Sequence, residues 1–207
     1  MPAREPSQVV AGTGLLGVGA AVTAGVVLPA ARGAVQRVDD RWYRFVQRHR
    51  SPPLGAASRV LDVALGTTVD WAARLAVTAV LVRQRRWRAL ASWAATVALG
   101  EVSIGPLKGR IARPRPDEPM VTTTMTSYPS GHAIAAATTC PGVALALLHP
   151  GRGRDRWLCA AVAVAAATAL SRTYLNAHWL SDTVGGFCLG TGFSLLAPRV
   201  VDSIARV

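Results

Sequence analysis

One short segment of the chain carries a nucleophile and a carboxylate at helical spacing. His178 and Asp182 are four residues apart, so on a helix their side chains lie on one face. Asp182 can then accept the Nδ1 proton of His178 and leave Nε2 bare and oriented for attack. A second histidine, His132, follows a Ser-Gly pair and can protonate a leaving oxygen as a general acid. Two histidines with opposite proton duties predict a bell-shaped pH profile.

Three cations and one helix start border apolar segments and predict a pocket for an oxyanion. An unpaired charge at mid-bilayer costs roughly 2.5–3.5 kcal/mol, and a dianionic phosphate would offset this cost. Arginine offers paired donors to phosphate oxygens, whereas lysine offers a compact charge. The free N–H groups at the start of a helix also favour an anion. The residues concerned are Lys108, Arg115 and Arg172 for the cations, and Ser130 and Gly131 for the helix start.

Each of these residues also has an ordinary structural explanation. A lone histidine in a membrane helix is usually a polar contact, and an arginine at a helix end usually contacts lipid headgroups. Asp182 can simply cap the helix that follows it. Those explanations would jointly have to account for three cations, two histidines, an aspartate and a Ser-Gly pair on one side of a membrane. We therefore favour the catalytic interpretation.

Long apolar runs separate the charged clusters and predict an all-α fold, a six-transmembrane-helix bundle. The first run is long for a signal-peptide core, so we expect a retained helix rather than a cleaved signal. Its glycines allow close helix contact and permit a homodimer without requiring one. Residues 1–207 are predicted to be a single integral-membrane domain. The runs cover roughly 9–31, 66–82, 89–107, 131–148, 157–174 and 183–201.

An amphipathic segment follows the first helix, at residues 32–65, and mixes aromatic side chains with arginines. Such a segment is typical of the membrane interface, and Pro52 and Pro53 should break it. In the second apolar run, Asp70 and Arg74 are one turn apart and can pair on one helix face.

Charge distribution predicts which side of the membrane each link faces. Six spans place both termini on one side, and the arginine-rich links at 83–88 and 152–156 mark that side as the cytoplasm. The basic link after the first helix argues the other way, and we assign it to the interface. Residues 108–130 and 172–182 then both face outward, which predicts an extracytoplasmic site in a bacterial inner membrane.

Composition narrows the class of protein further. The chain has 207 residues and a net charge of +12, but its basic residues lie at the ends of apolar runs. That placement favours anionic lipid over nucleic acid as the partner. The 22 arginines and the richness in alanine are typical of a GC-rich bacterial genome, so the single lysine, Lys108, indicates that an ammonium is needed there. The three cysteines have neither disulfide nor metal-ligand spacing.

Three motifs resemble the signature of the type 2 phosphatidic acid phosphatase superfamily. That signature is Lys, six residues, Arg-Pro; then Pro-Ser-Gly-His; then Ser-Arg, five residues, His, three residues, Asp. This chain matches it in order and spacing at Lys108 to Pro116, Pro129 to His132, and Ser171 to Asp182. The predicted arrangement of six transmembrane helices also resembles this superfamily, so the resemblance covers nearly the whole chain.

The resemblance implies metal-independent hydrolysis of a lipid phosphate or pyrophosphate, with no cofactor. By likeness, His178 attacks phosphorus and forms a phosphohistidine, Asp182 orients it, and His132 protonates the leaving group. The phosphoryl oxygens would be held by Lys108, Arg115, Ser130, Gly131 and Arg172. The candidate substrates are polyprenyl pyrophosphate, phosphatidylglycerol phosphate and phosphatidate, and the sequence does not choose among them.

Some alternatives stay open. A non-catalytic lipid-phosphate binding or transport protein would need the cations but no nucleophile. The related vanadium haloperoxidases are soluble, which the apolar runs argue against. Glu101 is either a counter-ion for Lys108 or a helix–helix polar contact, and Arg110 and Arg113 either attract a further anion or have no role.

Overall fold

The computed structural model describes residues 5–205, and this part of the chain contains eight α-helices and no β-strand. The predicted all-α fold is therefore confirmed. The helices are α1 (Glu5–Val27), α2 (Pro29–Arg48), α3 (Pro52–Ala64), α4 (Thr67–Arg83), α5 (Trp87–Ile111), α6 (Gly131–Leu147), α7 (Arg152–Tyr174) and α8 (Leu180–Ile204).

Four of these helices are long and apolar enough to cross a bilayer, namely α1, α5, α7 and α8. Helices α3 and α4 form a pair bent by 47°, and together they would supply a fifth span. Helix α6 coincides with the fourth predicted run, but its 17 residues are short for a span. Six full spans therefore stay a prediction, although each of the six apolar runs lies largely in a helix.

Proline marks the boundaries of the amphipathic segment. The first helix was expected to continue to residue 31, but α1 ends at Val27 because Pro29 begins α2. The expected break at Pro52 and Pro53 is confirmed, because these residues open α3 with Ser51 at its N-cap. The segment is thus two helices, α2 and α3, joined by a short turn.

Small residues let the helices approach closely, as expected for packing in lipid. A Cβ at Gly12 or Gly19 of α1 would lie within 3 Å of leucine side chains on α8. A Cβ at Gly190 of α8 would lie 2.8 Å from both Ala137 Cβ and Ile134 O of α6. The close contacts predicted for the glycine-rich first helix are therefore confirmed at two positions, whereas Gly14 and Gly17 face open space.

Helix α6 lies at the centre of the fold and packs against α4, α5, α7 and α8. Ten of its residues are buried, two threonines among them. On the α5 side, a Cβ at Gly142 would lie 2.9 Å from the Trp93 ring. Because four helices surround α6, it fixes the distances between them.

A charged cluster joins α4 and α5. Arg74 Nε lies 2.8 Å from Asp70 Oδ2, which confirms the predicted pair, and Arg74 Nη1 lies 2.5 Å from Glu101 Oε1. The proposed pairing of Glu101 with Lys108 is therefore wrong. Glu101 instead makes the polar contact between helices that the sequence left as the alternative. Its partner Arg74 is buried in the neighbouring helix and needs a counter-ion.

Chain direction brings the three motifs to one end of the bundle. Helices α5 and α7 end where α6 and α8 begin, so Lys108, Gly131, Arg172 and Leu180 lie near the same end. The connections at that end are residues 112–130 and 175–179. The links 84–86 and 148–151, with the arginines of 83–88 and 152–156 in or beside them, lie at the other end.

Candidate active site

A cavity of about 270 Å³ opens at the end of the bundle where the motifs meet. Six of the eight residues predicted for the site line this cavity, namely Lys108, Arg115, Gly131, His132, Arg172 and His178. The other two, Ser130 and Asp182, are fully buried behind the lining. The spatial convergence expected from the three motifs is therefore present.

A tight turn after α7 presents His178 to the cavity. The backbone N–H groups of Ala177 and His178 both donate to the carbonyl oxygen of Arg172, at 3.0 and 3.2 Å. Asn176 has a φ of 52°, a left-handed conformation that asparagine tolerates better than most residues. Its side chain donates to the carbonyl oxygens of Asp117 and Glu118, which ties the turn to the long connection.

Asp182 has one of the two roles that the sequence left open, the capping of α8, and it also lies beside His178. Its Oδ2 accepts from the backbone N–H of Trp179 at 2.9 Å and from the hydroxyl of Ser127, so it caps α8. The same oxygen lies 3.7 Å from His178 Nδ1, which is an ion-pair distance and longer than a hydrogen bond. The carboxylate is therefore fixed by the fold and faces the imidazole that it was expected to orient.

The contact of His178 with Arg115 identifies the free nitrogen of the imidazole. His178 Nε2 lies 3.1 Å from Arg115 Nη1. Because a guanidinium can only donate, Nε2 is the acceptor and Nδ1 carries the proton that faces Asp182. Arg115 Nη1 also donates to the carbonyl oxygen of Ala177 at 2.5 Å, so the same cation holds the turn that carries His178.

Burial keeps His178 neutral. The ring is 4% exposed, and burial lowers its pKa to about 4. The positive charges of Arg115 and Lys108 act in the same direction, and the negative charge of Asp182 opposes them. Burial also lowers the pKa of Arg115 from its ordinary value. A neutral imidazole with a bare Nε2 is the form that can attack an electrophile.

Lys108 is held by the connection that follows α5. Its Nζ donates to the carbonyl oxygen of Thr126 at 2.6 Å, and the Thr126 hydroxyl donates back to the carbonyl oxygen of Lys108 at 2.9 Å. Arg115 Nη2 donates to the carbonyl oxygen of Thr124 at 2.7 Å. The loop carbonyls thus direct both cations to one side of the cavity.

Ser130 and Gly131 begin α6 as expected. The Ser130 hydroxyl accepts from the backbone N–H of Ala133 at 3.4 Å, and the Ser130 N–H donates to the carbonyl oxygen of Asp182 at 3.1 Å. The serine therefore caps α6 and joins it to α8, while the start of the helix faces the cavity at Gly131 and His132. The preceding Tyr128 is fully buried, and burial raises its pKa to about 12.

Sequence reasoning missed Asp62, which lies in α3. Its carboxylate pairs with Arg172 Nη1, and the same oxygen, Oδ1, lies 3.5 Å from His132 Nε2. This contact joins α3 to the second and third motifs. No spacing relation links position 62 to 132 or 172, so residue spacing could not have indicated this contact.

Sequence reasoning also missed the role of Arg113. Its two terminal nitrogens lie 2.6 Å from Asp39 Oδ2 and 2.7 Å from Asp182 Oδ1, and both carboxylates are buried. Ser181 and Gln36 accept further hydrogen bonds from it. The expectation that Arg113 attracts a further anion or has no role is therefore wrong. It connects α2 to the carboxylate that faces His178.

Within residues 5–205, no group of three or more His, Cys, Asp or Glu is arranged to hold a metal ion. The three cysteines, Cys140, Cys159 and Cys188, are all free thiols.

The arrangement suits transfer of a phosphoryl group. A neutral imidazole nitrogen, three cations and a helix start border one cavity, and a second histidine, His132, also lines it. Cations fixed in a partly buried pocket stabilise the charge that develops on equatorial phosphoryl oxygens. His178 Nε2 lies 3.1 Å from one of these donors, Arg115 Nη1, which is the geometry such a reaction needs.

Comparisons with known proteins agree with this geometry. A family model described as the PAP2 superfamily matches residues 87–206. Phosphatidylglycerophosphatase B of Bacillus subtilis is 37% identical over 105 residues, which are 48% of this chain and 52% of that protein. An undecaprenyl-diphosphatase of Sulfolobus acidocaldarius is 32% identical over 136 residues, which are 60% of this chain and 61% of that protein. The matches thus span about half to three fifths of the length of these curated relatives.

Two solved structures share the fold. A transmembrane PAP2-type phosphatidylglycerolphosphate phosphatase from Bacillus subtilis superposes with a TM-score of 0.76 at 24% identity, covering 93% of this chain and 96% of that one. Aquifex aeolicus LpxE superposes with a TM-score of 0.62 at 19% identity, covering 77% of this chain and 93% of that one. At these identities the superpositions show a common fold, and together with the apolar helices they indicate a membrane protein.

Proposed function

The chain belongs to the PAP2 superfamily, and from that premise we propose that it hydrolyses the terminal phosphate of a membrane lipid. The observation that carries the proposal is the contact between His178 Nε2 and Arg115 Nη1 at 3.1 Å. That contact places an unprotonated nitrogen beside a phosphate-binding cation. Mere binding of a phosphate would need the cation but no such nitrogen.

The first chemical step is attack by His178 Nε2 on phosphorus. An entering phosphoryl oxygen takes over the Arg115 donor and so frees the Nε2 lone pair. The bond from phosphorus to the lipid oxygen breaks. His132, which takes up a proton as the negatively charged substrate enters, gives that proton to the lipid oxygen. The Nδ1 proton stays on the ring, facing Asp182, and the negative carboxylate stabilises the positive charge that the phosphorylated imidazole acquires.

The second step releases phosphate. A water molecule attacks the phosphohistidine, and His132, now neutral, accepts its proton. The phosphorus–nitrogen bond breaks and returns His178 to its neutral form. Lys108, Arg115, Arg172 and the start of α6 at Ser130 and Gly131 hold the phosphoryl oxygens throughout. These donors are where most of the rate acceleration should arise.

The substrate is proposed from chemistry and from the relatives together. A cavity at the end of apolar helices suits a phosphate whose chains stay in the bilayer. The relatives are named for phosphatidylglycerol phosphate and undecaprenyl diphosphate, and both carry a terminal phosphate. We place the reaction on the extracytoplasmic face of a bacterial inner membrane. Support comes from the arginine-rich links, which lie at the other end of the bundle.

Phosphate release by purified protein in detergent tests the proposal. The panel contains a polyprenyl pyrophosphate, phosphatidylglycerol phosphate and phosphatidate, each assayed with excess EDTA and with vanadate. We expect release from at least one lipid, no loss with EDTA, and inhibition by vanadate. His178→Ala should abolish release, because it removes the nucleophile. His149→Ala is the matched control, since His149 is exposed at the opposite end of α6. A lasting requirement for added divalent metal, or activity in His178→Ala, would contradict the mechanism.

A further inference from the structure

A second cavity, of about 430 Å³, opens at the end of the bundle opposite the catalytic cavity. It lies between the starts of α5 and α7 and the ends of α6 and α8. Its volume falls within the range of roughly 300–1,000 Å³ that is typical of small-molecule sites. No residue predicted for the catalytic site is among the described residues that line it, so the two cavities are separate.

Positive charge predominates among the charged side chains of this cavity. The arginines are Arg88, Arg152, Arg154 and Arg199, and the aspartates are Asp155 and Asp202. Arg88 and Arg152 are exposed. Arg199 Nη2 donates to Gln8 Oε1 of α1 at 2.8 Å, which fixes this cation at the cavity. Two helices, α5 and α7, also begin here, and the N–H groups at a helix start favour an anion. The outer part of the cavity therefore suits a negatively charged group.

One face of α5 leads from the charged end into the bundle. Arg88, Ser92 and Thr96 are four residues apart in turn and all line the cavity. At 1.5 Å per residue, Thr96 lies roughly 12 Å deeper along the helix than Arg88. Thr96 is 2% exposed and the neighbouring Trp93 is 3% exposed. The cavity thus extends from the end of the bundle into its interior.

The inner walls offer little to a water molecule. The hydroxyls of Ser92, Thr96 and Ser194 each donate to a backbone carbonyl oxygen, at 2.9 to 3.0 Å. The Trp93 ring N–H donates to the Thr78 hydroxyl at 3.0 Å. These donors are therefore used within the protein, whereas a buried water molecule needs two to four polar partners. Alanine, glycine and leucine side chains of α5 and α6 line the rest, so an acyl chain suits the inner part better than water does.

We propose that this cavity binds an anionic phospholipid from the leaflet opposite the catalytic cavity. The headgroup lies among the arginines, and the first part of one acyl chain follows the inner walls. Basic cavities between transmembrane helices suit anionic headgroups in this way. The site is independent of the proposed reaction, because it shares no residue with the catalytic cavity.

Two other kinds of ligand fit the cavity less well. A water-soluble anion could use the arginines but would leave the inner walls uncovered. A zwitterionic phospholipid would bring its own cation towards the arginines. We therefore expect phosphatidylglycerol to bind about tenfold or more tightly than either phosphatidylcholine or the soluble headgroup glycerophosphoglycerol.

Native mass spectrometry of the purified full-length protein in detergent, titrated with these three compounds, tests the proposal. Arg88→Gln combined with Arg152→Gln should raise the dissociation constant of phosphatidylglycerol about tenfold or more. Ser92→Leu, which fills the wall at mid-depth, should abolish this binding. The matched control combines Arg83→Gln with Arg156→Gln, because it removes the same charge from exposed arginines at the same end that do not line the cavity. Melting temperatures without lipid show that each variant is folded.

The outcomes decide the proposal as follows. Equal affinity of the wild type for phosphatidylglycerol and phosphatidylcholine overturns it, and so does an equal loss of binding in the control pair, since either would mean that surface charge alone attracts the lipid. Undiminished binding in folded Ser92→Leu would show that no chain enters the cavity. Glycerophosphoglycerol that binds as tightly as the lipid would assign the site to a soluble anion instead. If Ser92→Leu does not fold, the comparison of the two arginine pairs decides.

Discussion

Replacing Arg113 by alanine removes the cation between two buried carboxylates. Arg113 is 5% exposed, and its partners Asp39 and Asp182 are 1% and 0% exposed. The two ion pairs are 2.6 and 2.7 Å long, and the guanidinium also donates to Ser181 and Gln36. The variant leaves both carboxylates in a buried setting without their shared counter-ion.

The expected cost follows from that burial. Breaking a buried pair by removing one partner costs roughly 3–5 kcal/mol. For a chain of this length each kcal/mol lowers the melting temperature by roughly 2–4 °C, so the drop should be roughly 6–20 °C. Tryptophan fluorescence in detergent, at one fixed heating rate, measures it. Arg110→Ala is the matched control, because Arg110 is exposed in the same stretch, and it should shift the melting temperature by less than about 2 °C.

A double-mutant cycle tests the cause. Asp39→Asn alone should lower the melting temperature. In the Arg113→Ala background the same substitution should lower it less, because the ion pair between the two residues is already absent. The combined drop should therefore be clearly smaller than the sum of the two single drops. Equal melting temperatures for Arg113→Ala and Arg110→Ala, or strict additivity in the cycle, would refute the reasoning.

Two further predictions concern the nucleophile and the single lysine. Because burial lowers the pKa of His178 to about 4, the ¹⁵N signals of its ring should titrate near pH 4, with His178→Ala identifying the signals. In the unfolded chain the same imidazole takes up its proton near pH 6.5, so the free energy of unfolding should decline as the pH falls from 6.5 towards 4. A titration midpoint of the ring signals at or above pH 6.5 would contradict this prediction. Lys108→Arg should lower kcat by about 10²–10³, because a broader guanidinium cannot replace a buried ammonium that points at Thr126. Unchanged kcat at unchanged melting temperature would show that the lysine has no special role.

Local patterns in the sequence predicted most of the helices and the meeting of the motifs. Apolar runs indicated approximate helix positions, and prolines explain why α1 ends before its run does and where α3 begins. Chain direction then brings the motif residues to one end, because each motif lies at a helix end. The Asp70–Arg74 pair was also predictable, since its two residues are one helical turn apart.

The contacts that sequence reasoning missed are all between distant parts of the chain. Asp39 and Asp62 lie 74 and 110 positions before their arginine partners. No periodicity relates such positions, and only the packing of α2 and α3 against the bundle brings them together. One signal was available, because the chain has only 11 acidic residues, so an aspartate near apolar helices warranted a search for a partner. Glu101 shows the limit of local spacing, since its partner Arg74 lies on another helix.

The central position of α6 changes what its sequence must satisfy. A helix that faces acyl chains mainly needs hydrophobic side chains, and leucine or isoleucine is tolerated at nearly every lipid-facing position. Helix α6 instead meets protein on most sides, so close fit governs its small and hydroxylated side chains, such as Ala137, Thr138 and Gly142. A hydropathy scale would rank Ala137→Leu as an improvement, yet the backbone of α8 at Gly190 leaves no room for it. Tolerance to mutation in this helix should therefore follow side-chain volume rather than polarity.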